Sequence, residues 1–174
     1  MFKIFRKEKI WQENEYFDEI WKERIEKLIS YVDNEDYQLC DIGCGEQWTK
    51  EFLPENIKYI PVDYTKRTFD TIVCDLNKKE LPSTDIMKNV VLCSGVLEYI
   101  VDLDWFVSSL KNTDKVITSY CILERFPSIK IRNRYSWKNN LTLEELITLF
   151  IKNGFVLSEL DIVNNNHVFC FLKK

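Results

Sequence analysis

The sequence predicts an α/β fold: a Rossmann-like, mostly parallel seven-stranded sheet with helices on both faces and an antiparallel hairpin at its C-terminal end. Two observations carry this. Apolar runs of strand length alternate with stretches whose apolar residues recur every three or four positions, a pattern that lays helices over a parallel sheet. The last segment, "FVLSEL…HVFCFL", instead reads as two consecutive strands joined by an asparagine turn.

The elements follow in order. Trp21, Ile25, Leu28 and Val32 succeed Phe17 at helical spacing, and "YQLCDI" is a buried strand entering "CDIGCGEQW". A short helix near Glu46 uses Trp48 and Phe52 as its inner face until Pro54 stops it. "IKYIPVDY" is a second strand ending at Asp63, "DTIVCDL" a third ending at Asp75, and "NVVLCSG" a fourth ending at Gly95. Only "YTKRTF" separates the second strand from the third, too short for the usual crossover helix, so that helix is reduced or absent and the chain crosses in an extended loop. The sheet edge there is thinly covered, open to a partner or to a second copy in a homodimer, unless the first helix covers it.

Leu103, Phe106, Val107 and Leu110 form a helical stripe, and "KVITSY" is the fifth strand. Thr142 and Glu145 stand in capping-box spacing, ahead of a helix whose apolar face is Leu143, Leu146, Ile147, Phe150 and Ile151 and which ends at Gly154. No repeat, low-complexity tract or linker interrupts the chain. Its 174 residues, 45% of them hydrophobic, suit a single domain over 1–174, with 38–172 the core and 1–35 a helical lid bearing Trp11, Tyr16 and Trp21.

A net charge of −4 supplies no global positive field, which argues against nucleic acid as a partner. No apolar run approaches the roughly 20 residues of a membrane span, and "MFKIFRKEKIW" lacks the apolar centre of a signal peptide. Cys40, Cys74, Cys93 and Cys170 sit among β-formers and read as reduced, buried thiols, so a cytoplasmic protein is expected. With His167 the only histidine and no CxxC pair, no metal site is expected.

The glycine turn needs a reason. A dinucleotide fingerprint starting at Gly43 would place its third glycine at position 48, where Trp48 stands, which disfavours a nicotinamide or flavin site. A cofactor without phosphates demands less of the backbone. At this point the sequence resembles the class I S-adenosylmethionine-dependent methyltransferases, as a small bacterial-type member. Asp41, Gly43 and Gly45 match the family's acidic residue followed by G-x-G; Asp63 in "YIPVD" and Asp75 in "VCDL" match its acidic residues after the second and third strands; and "GVLEY", Gly95 to Tyr99, matches its segment after the fourth. The resemblance covers roughly residues 38 to 172.

It implies S-adenosyl-L-methionine as cofactor, bound by Asp41, Gly43, Gly45, Asp63, Asp75, Leu76 and Ser94. Asp63 would grip the ribose hydroxyls, Asp75 the adenine amino group, and Asp41 would order the loop near the ammonium group. Gln47 departs from the family's third glycine and would reshape the floor under the methionine part. Such an enzyme chiefly holds an acceptor atom in line with the methyl group, and a base assists loss of the acceptor's proton. Glu98, Tyr99 and His167 are the candidates for that role.

One stretch lies outside the family pattern. "RFPSIKIRNRYSWK" carries Arg125, Lys130, Arg132, Arg134 and Lys138 with Phe126, Tyr135 and Trp137 interleaved, and no acidic residue. It is read as an acceptor loop in which Arg132, Arg134 and Tyr135 bind an anionic small molecule, such as a phosphorylated or nucleotide-linked sugar or a carboxylate. A solvated basic loop and an RNA contact are the other readings. The competing functions are a catalytically silent methyltransferase fold that serves as an accessory or binding protein, and a nucleotide-binding Rossmann protein.

Overall fold

A computed structural model describes residues 18–174. Seven strands form one sheet in the order β3-β2-β1-β4-β5-β7-β6: β1 is Gln38–Ile42, β2 Lys58–Asp63, β3 Ile72–Val73, β4 Val90–Cys93, β5 Lys115–Tyr120, β6 Phe155–Val163 and β7 Asn166–Lys173. β1 runs parallel to β2 and β4, β2 to β3, and β4 to β5, whereas β7 is antiparallel to both β5 and β6. This is the predicted sheet. The asparagine turn is present, with Asn164 in the left-handed region at φ 54°.

Both faces are covered. On one, Cys40, Val91, Val116, Phe169 and Phe171 pack with residues of α2 (Leu103–Ser109) and α4 (Leu143–Lys152), among them Phe106, Leu146 and Phe150. Phe150 stacks on Phe171 with ring centroids 4.0 Å apart. On the other face, Leu39, Val90, Leu92, Ile117 and Val168 meet Ile25, Leu28 and Ile29 of α1 (Trp21–Ile29). These faces follow from period-two alternation within fully buried strands. Each fully enclosed Leu, Ile or Phe contributes roughly 1.5–3 kcal/mol.

The capping box of α4 forms as expected: the Thr142 side chain accepts from the Glu145 N–H, and Glu145 accepts from the Thr142 N–H. The segment between β2 and β3 contains no helix. Lys66 Nζ bridges the Phe69 and Thr71 carbonyls, and the Thr68 N–H donates to Thr71 Oγ1, so side chains replace the missing helix in holding the loop. Phe69 is 94% exposed at that edge.

Five expectations change. The first helix ends at Ile29 rather than reaching Val32. Its described part is a layer on the sheet, not a lid, because Ile25, Leu28 and Ile29 are in the core; Trp11 and Tyr16 lie outside the described residues. The element near Glu46 is a single 3-10 turn, Trp48–Glu51. The third strand shrinks to Ile72–Val73, because Asp75 caps a 3-10 turn, Leu76–Lys78, and bends the chain away. The basic stretch is not all loop: Ser128 caps a short helix, α3 (Ile129–Arg134).

Candidate functional site

The parallel strands bring their C-terminal ends to one edge, where open α/β sheets bind ligands. Asp41, Asp63 and Asp75 lie on or just after three adjacent strands there. Behind Asp41 the chain hooks back under β2, with the Gly43 and Cys44 N–H groups donating to the Val62 carbonyl at 2.8 and 3.0 Å. Gly43, Gly45 and Gln47 all take positive φ, at 76°, 47° and 60°. A Cβ at Gly43 would stand 2.3 Å from Val96 Cγ2, so glycine is required by the segment after β4 as well as by the turn.

Gln47 explains its own departure from glycine. Its backbone adopts the left-handed conformation that the third glycine would take freely, at an expected cost of roughly 1–2 kcal/mol. Its side chain is buried and donates from Nε2 to Thr68 Oγ1 at 2.6 Å, tying the glycine turn to the β2–β3 loop.

Asp63 is buried and fully directed into this loop. Oδ2 accepts from the Gly45 N–H at 3.1 Å and from Arg67 Nε at 3.2 Å, while Oδ1 accepts from the Thr65 N–H at 3.2 Å. Asp75 is half-buried, and its Oδ1 caps Asn77. Asn77 in turn donates from Nδ2 to the Tyr99 carbonyl and accepts the Val101 N–H, joining the turn after β3 to the one after β4. Leu76 packs at the margin of the core.

Asp41 is buried on β1 and accepts from the Tyr59 hydroxyl at 2.7 Å. Burial pushes its carboxyl up to about 6, against the opposing bonds from Tyr59 and Thr49. Between an ordinary aspartate value near 4 and about 6 the folded chain binds more protons than the unfolded one, so stability falls as pH rises through that window, by up to ~3 kcal/mol. Urea midpoints at about pH 4 and about pH 7 are expected to show this loss, and Asp41→Asn to flatten it.

The segment after β4 forms the 3-10 turn Leu97–Tyr99. Glu98 is 2% exposed; Oε1 accepts from the Cys121 N–H at 2.8 Å, and Oε2 has no hydrogen-bond partner. Burial raises its pKa, with Arg24 and Arg132 opposing. The Tyr99 hydroxyl accepts from Trp137 Nε1 at 3.1 Å, and burial raises its pKa well above the ordinary value. His167 does not join them. It pairs with Tyr120 on the face covered by α2 and α4, its Nδ1 is unpartnered, and the charges acting on it are Arg125 and Glu124. Burial lowers its pKa.

Arg132 is a correction. It is 0% exposed, and its donors go to Asn140 Oδ1, the Cys121, Phe126 and Asn139 carbonyls and the Tyr120 hydroxyl, while Trp137 stacks 4.7 Å from the guanidinium carbon. Arg132 braces the loop from within and has no surface to offer an acceptor. Arg134 and Tyr135 remain exposed, Tyr135 with its ring 5.5 Å from Trp137.

Sequence reasoning missed Arg24 and Arg67. Arg24, half-buried on α1, donates from Nε to Ser94 Oγ at 3.1 Å and from Nη1 to Asn166 Oδ1 at 3.5 Å, and it lies against Gly95. Its only signal was a basic residue beside the apolar stripe of Trp21, Ile25 and Leu28. Arg67 stands four residues beyond Asp63 in the extended loop. Among the described residues no cluster of three or more metal-ligating side chains occurs, and no helix is long and apolar enough to cross a membrane.

No protein-family model matches the chain, and no curated protein matches it in sequence. Solved structures do match its fold. An O-methyltransferase candidate from Nostoc punctiforme superposes with a TM-score of 0.73 at 15% identity, covering 95% of this chain and 61% of its own. The 1,6-didemethyltoxoflavin-N1-methyltransferase of Burkholderia thailandensis, with 1,6-didemethyltoxoflavin and S-adenosylhomocysteine bound, gives 0.69 at 14% identity, covering 90% of this chain and 80% of its own. Magnesium protoporphyrin IX methyltransferase from Synechocystis, with bound S-adenosylhomocysteine, gives 0.66 at 12% identity over 89% and 84%. The fold is that of the class I S-adenosylmethionine-dependent methyltransferases.

Proposed function

We propose that the chain is an S-adenosylmethionine-dependent methyltransferase that acts on an O–H or N–H group of a small molecule. The observation that carries this is the row of three carboxylates, Asp41, Asp63 and Asp75, at the C-terminal ends of adjacent strands around a turn whose Gly45 amide is fixed on Asp63. The residues fit the cofactor. Asp63 has three hydrogen bonds for about four acceptor positions, which leaves room for a ribose hydroxyl. Asp75 and Leu76 would flank adenine, and Ser94 with the Gly43–Gly45 turn would border the methionine part, with Asp41 ordering that turn from beneath.

When bound, the cofactor supplies a methyl group activated on a sulfonium. The chain's own task is to orient the acceptor and take its proton. Glu98 suits that task because Oε2 is buried and unpartnered while Oε1 is fixed by the Cys121 amide. Tyr99 would border the acceptor, and His167 is left out because the charges acting on its ring are Arg125 and Glu124 rather than Glu98. The phosphorylated-sugar reading drew on Arg132 and Arg134 together and lapses with the enclosure of Arg132.

The Arg67–Asp63 ion pair, with both side chains buried, favours a second reading, a silent member of the fold whose ribose carboxylate is already neutralised. Calorimetry separates the two. S-adenosylhomocysteine is expected to bind and NAD not to; a folded chain that binds neither is the accessory protein, and one that prefers NAD overturns the proposal.

A further inference from the structure

Arg24 and Glu98 are opposite charges that act on each other without contact. Glu98 is the largest charge opposing the burial of Arg24, yet the two side chains do not approach within 4.0 Å of each other as an ion pair. Arg24 uses Nε and Nη1; its Nη2 has no hydrogen-bond partner and sits where it would be 3.0 Å from a Cβ on Gly95. Glu98 Oε2 is likewise unpartnered and is enclosed. A buried carboxylate oxygen without a donor is costly, roughly 1–3 kcal/mol or more, unless a ligand completes it.

The two open groups are complementary. Nη2 can only donate and an ionised Oε2 can only accept, so a molecule between them must carry an oxygen acceptor next to an O–H or N–H. Three neighbours define the surroundings. Cys121 donates from Sγ to Asn166 Oδ1, the same oxygen that Arg24 engages, which closes one side with a satisfied polar contact. Tyr99 is held by Trp137, and Trp137 packs on Phe126 at 5.6 Å and on Tyr135, an aromatic wall beside the site.

We infer that the gap between Arg24 and Glu98 is the acceptor subsite and that it takes a planar hydroxy acid, a ring hydroxyl immediately beside a carboxylate, with the carboxylate on Arg24 and the hydroxyl on Glu98. This rests on the methyltransferase reading. The balance is complete: the hydroxyl oxygen forms the new bond to the methyl carbon, the carbon–sulfur bond breaks with its electron pair going to sulfur, and the hydroxyl proton passes to Glu98 and then to water. Arg24 would bind and orient the acceptor.

The test uses the whole chain with 2-hydroxybenzoate, 4-hydroxybenzoate and benzoate as probes, each titrated calorimetrically with and without S-adenosylhomocysteine. The ortho compound is expected to bind at least ten-fold more tightly than the other two, and Arg24→Gln and Glu98→Gln each to remove that preference while thermal melts stay cooperative. Glu98→Gln keeps an oxygen for the Cys121 amide, so it preserves the turn. Equal binding of the three probes, or variants that retain the preference, overturns the inference. So does an Arg24→Gln variant that loses affinity for S-adenosylhomocysteine instead, since the guanidinium would then serve the cofactor. An ortho preference in a chain that binds no S-adenosylhomocysteine supports the subsite while overturning the methyltransferase reading.

Discussion

Asp63→Ala is expected to weaken binding of S-adenosylhomocysteine about ten- to 150-fold, the equivalent of losing hydrogen bonds to a charged acceptor worth roughly 1.5–3 kcal/mol. It should also destabilise the fold. Asp63 pairs with the buried Arg67 guanidinium and receives the Gly45 and Thr65 amides, so removing it takes a carboxylate from a buried cation and leaves two amides unanswered. Breaking one side of such a pair costs about 3–5 kcal/mol. The two effects can be separated with Asp63→Ala/Arg67→Ala, in which both members of the ion pair are gone. Denaturant melts should recover most of the lost stability in the double variant, and calorimetry should show that cofactor affinity does not return. A double variant that binds as well as the native chain would remove Asp63 from the cofactor site.

The second large effect is expected at Arg132. Alanine there deletes five hydrogen bonds in a side chain with no solvent contact and undoes the bracing of residues 121–140 by one group. The Cys121 and Asn139 carbonyls and the Tyr120 hydroxyl would lose a charged donor inside the protein, a loss of about 3–5 kcal/mol. Arg132→Lys should not rescue it, since an ammonium cannot reproduce the planar fork or the stack on Trp137. The diagnostic is salt. A buried anchor is insensitive to ionic strength, whereas an exposed acceptor clamp would be screened over about 8 Å. Stability of Arg132→Ala that matches the native chain would return Arg132 to the surface.

What could be read from the residues and what could not divide along one physical line. β1, β4 and β5 are buried on both faces, so "VVLC" is wholly apolar and "QLCDI" and "KVITSY" are rich in Leu, Ile, Val and Cys, which makes them stand out in the chain. The carboxylates of the site were visible because each sits where such a run ends. Arg132 was not visible, because an arginine in a run of basic residues carries no mark of the carbonyls it will meet; those belong to residues 121 and 139, brought to it by the fold. Arg24 was hidden for the same reason, its partners Ser94 and Asn166 lying 70 and 142 residues away. His167 misled in the opposite way. Its place at the start of β7 was correct, but the groups a strand residue meets depend on register and on the loops above it, and His167, paired with Tyr120, has Arg125 and Glu124 as the charges acting on it.

The strand order β5-β7-β6 bears on how the chain is made as well as on what it holds. β7 fills a slot between two strands that precede it, so β6, once synthesised, has no neighbour until residues 166–173 emerge and slide in. Every ladder that closes this half of the sheet must therefore wait for the most distal segment. Long-range pairings of that kind are slow and leave unpaired backbone exposed in the interval. During that interval the free edges of β5 and β6 are the places where a nascent chain could pair with another chain, which makes the speed of β7 insertion a determinant of soluble yield.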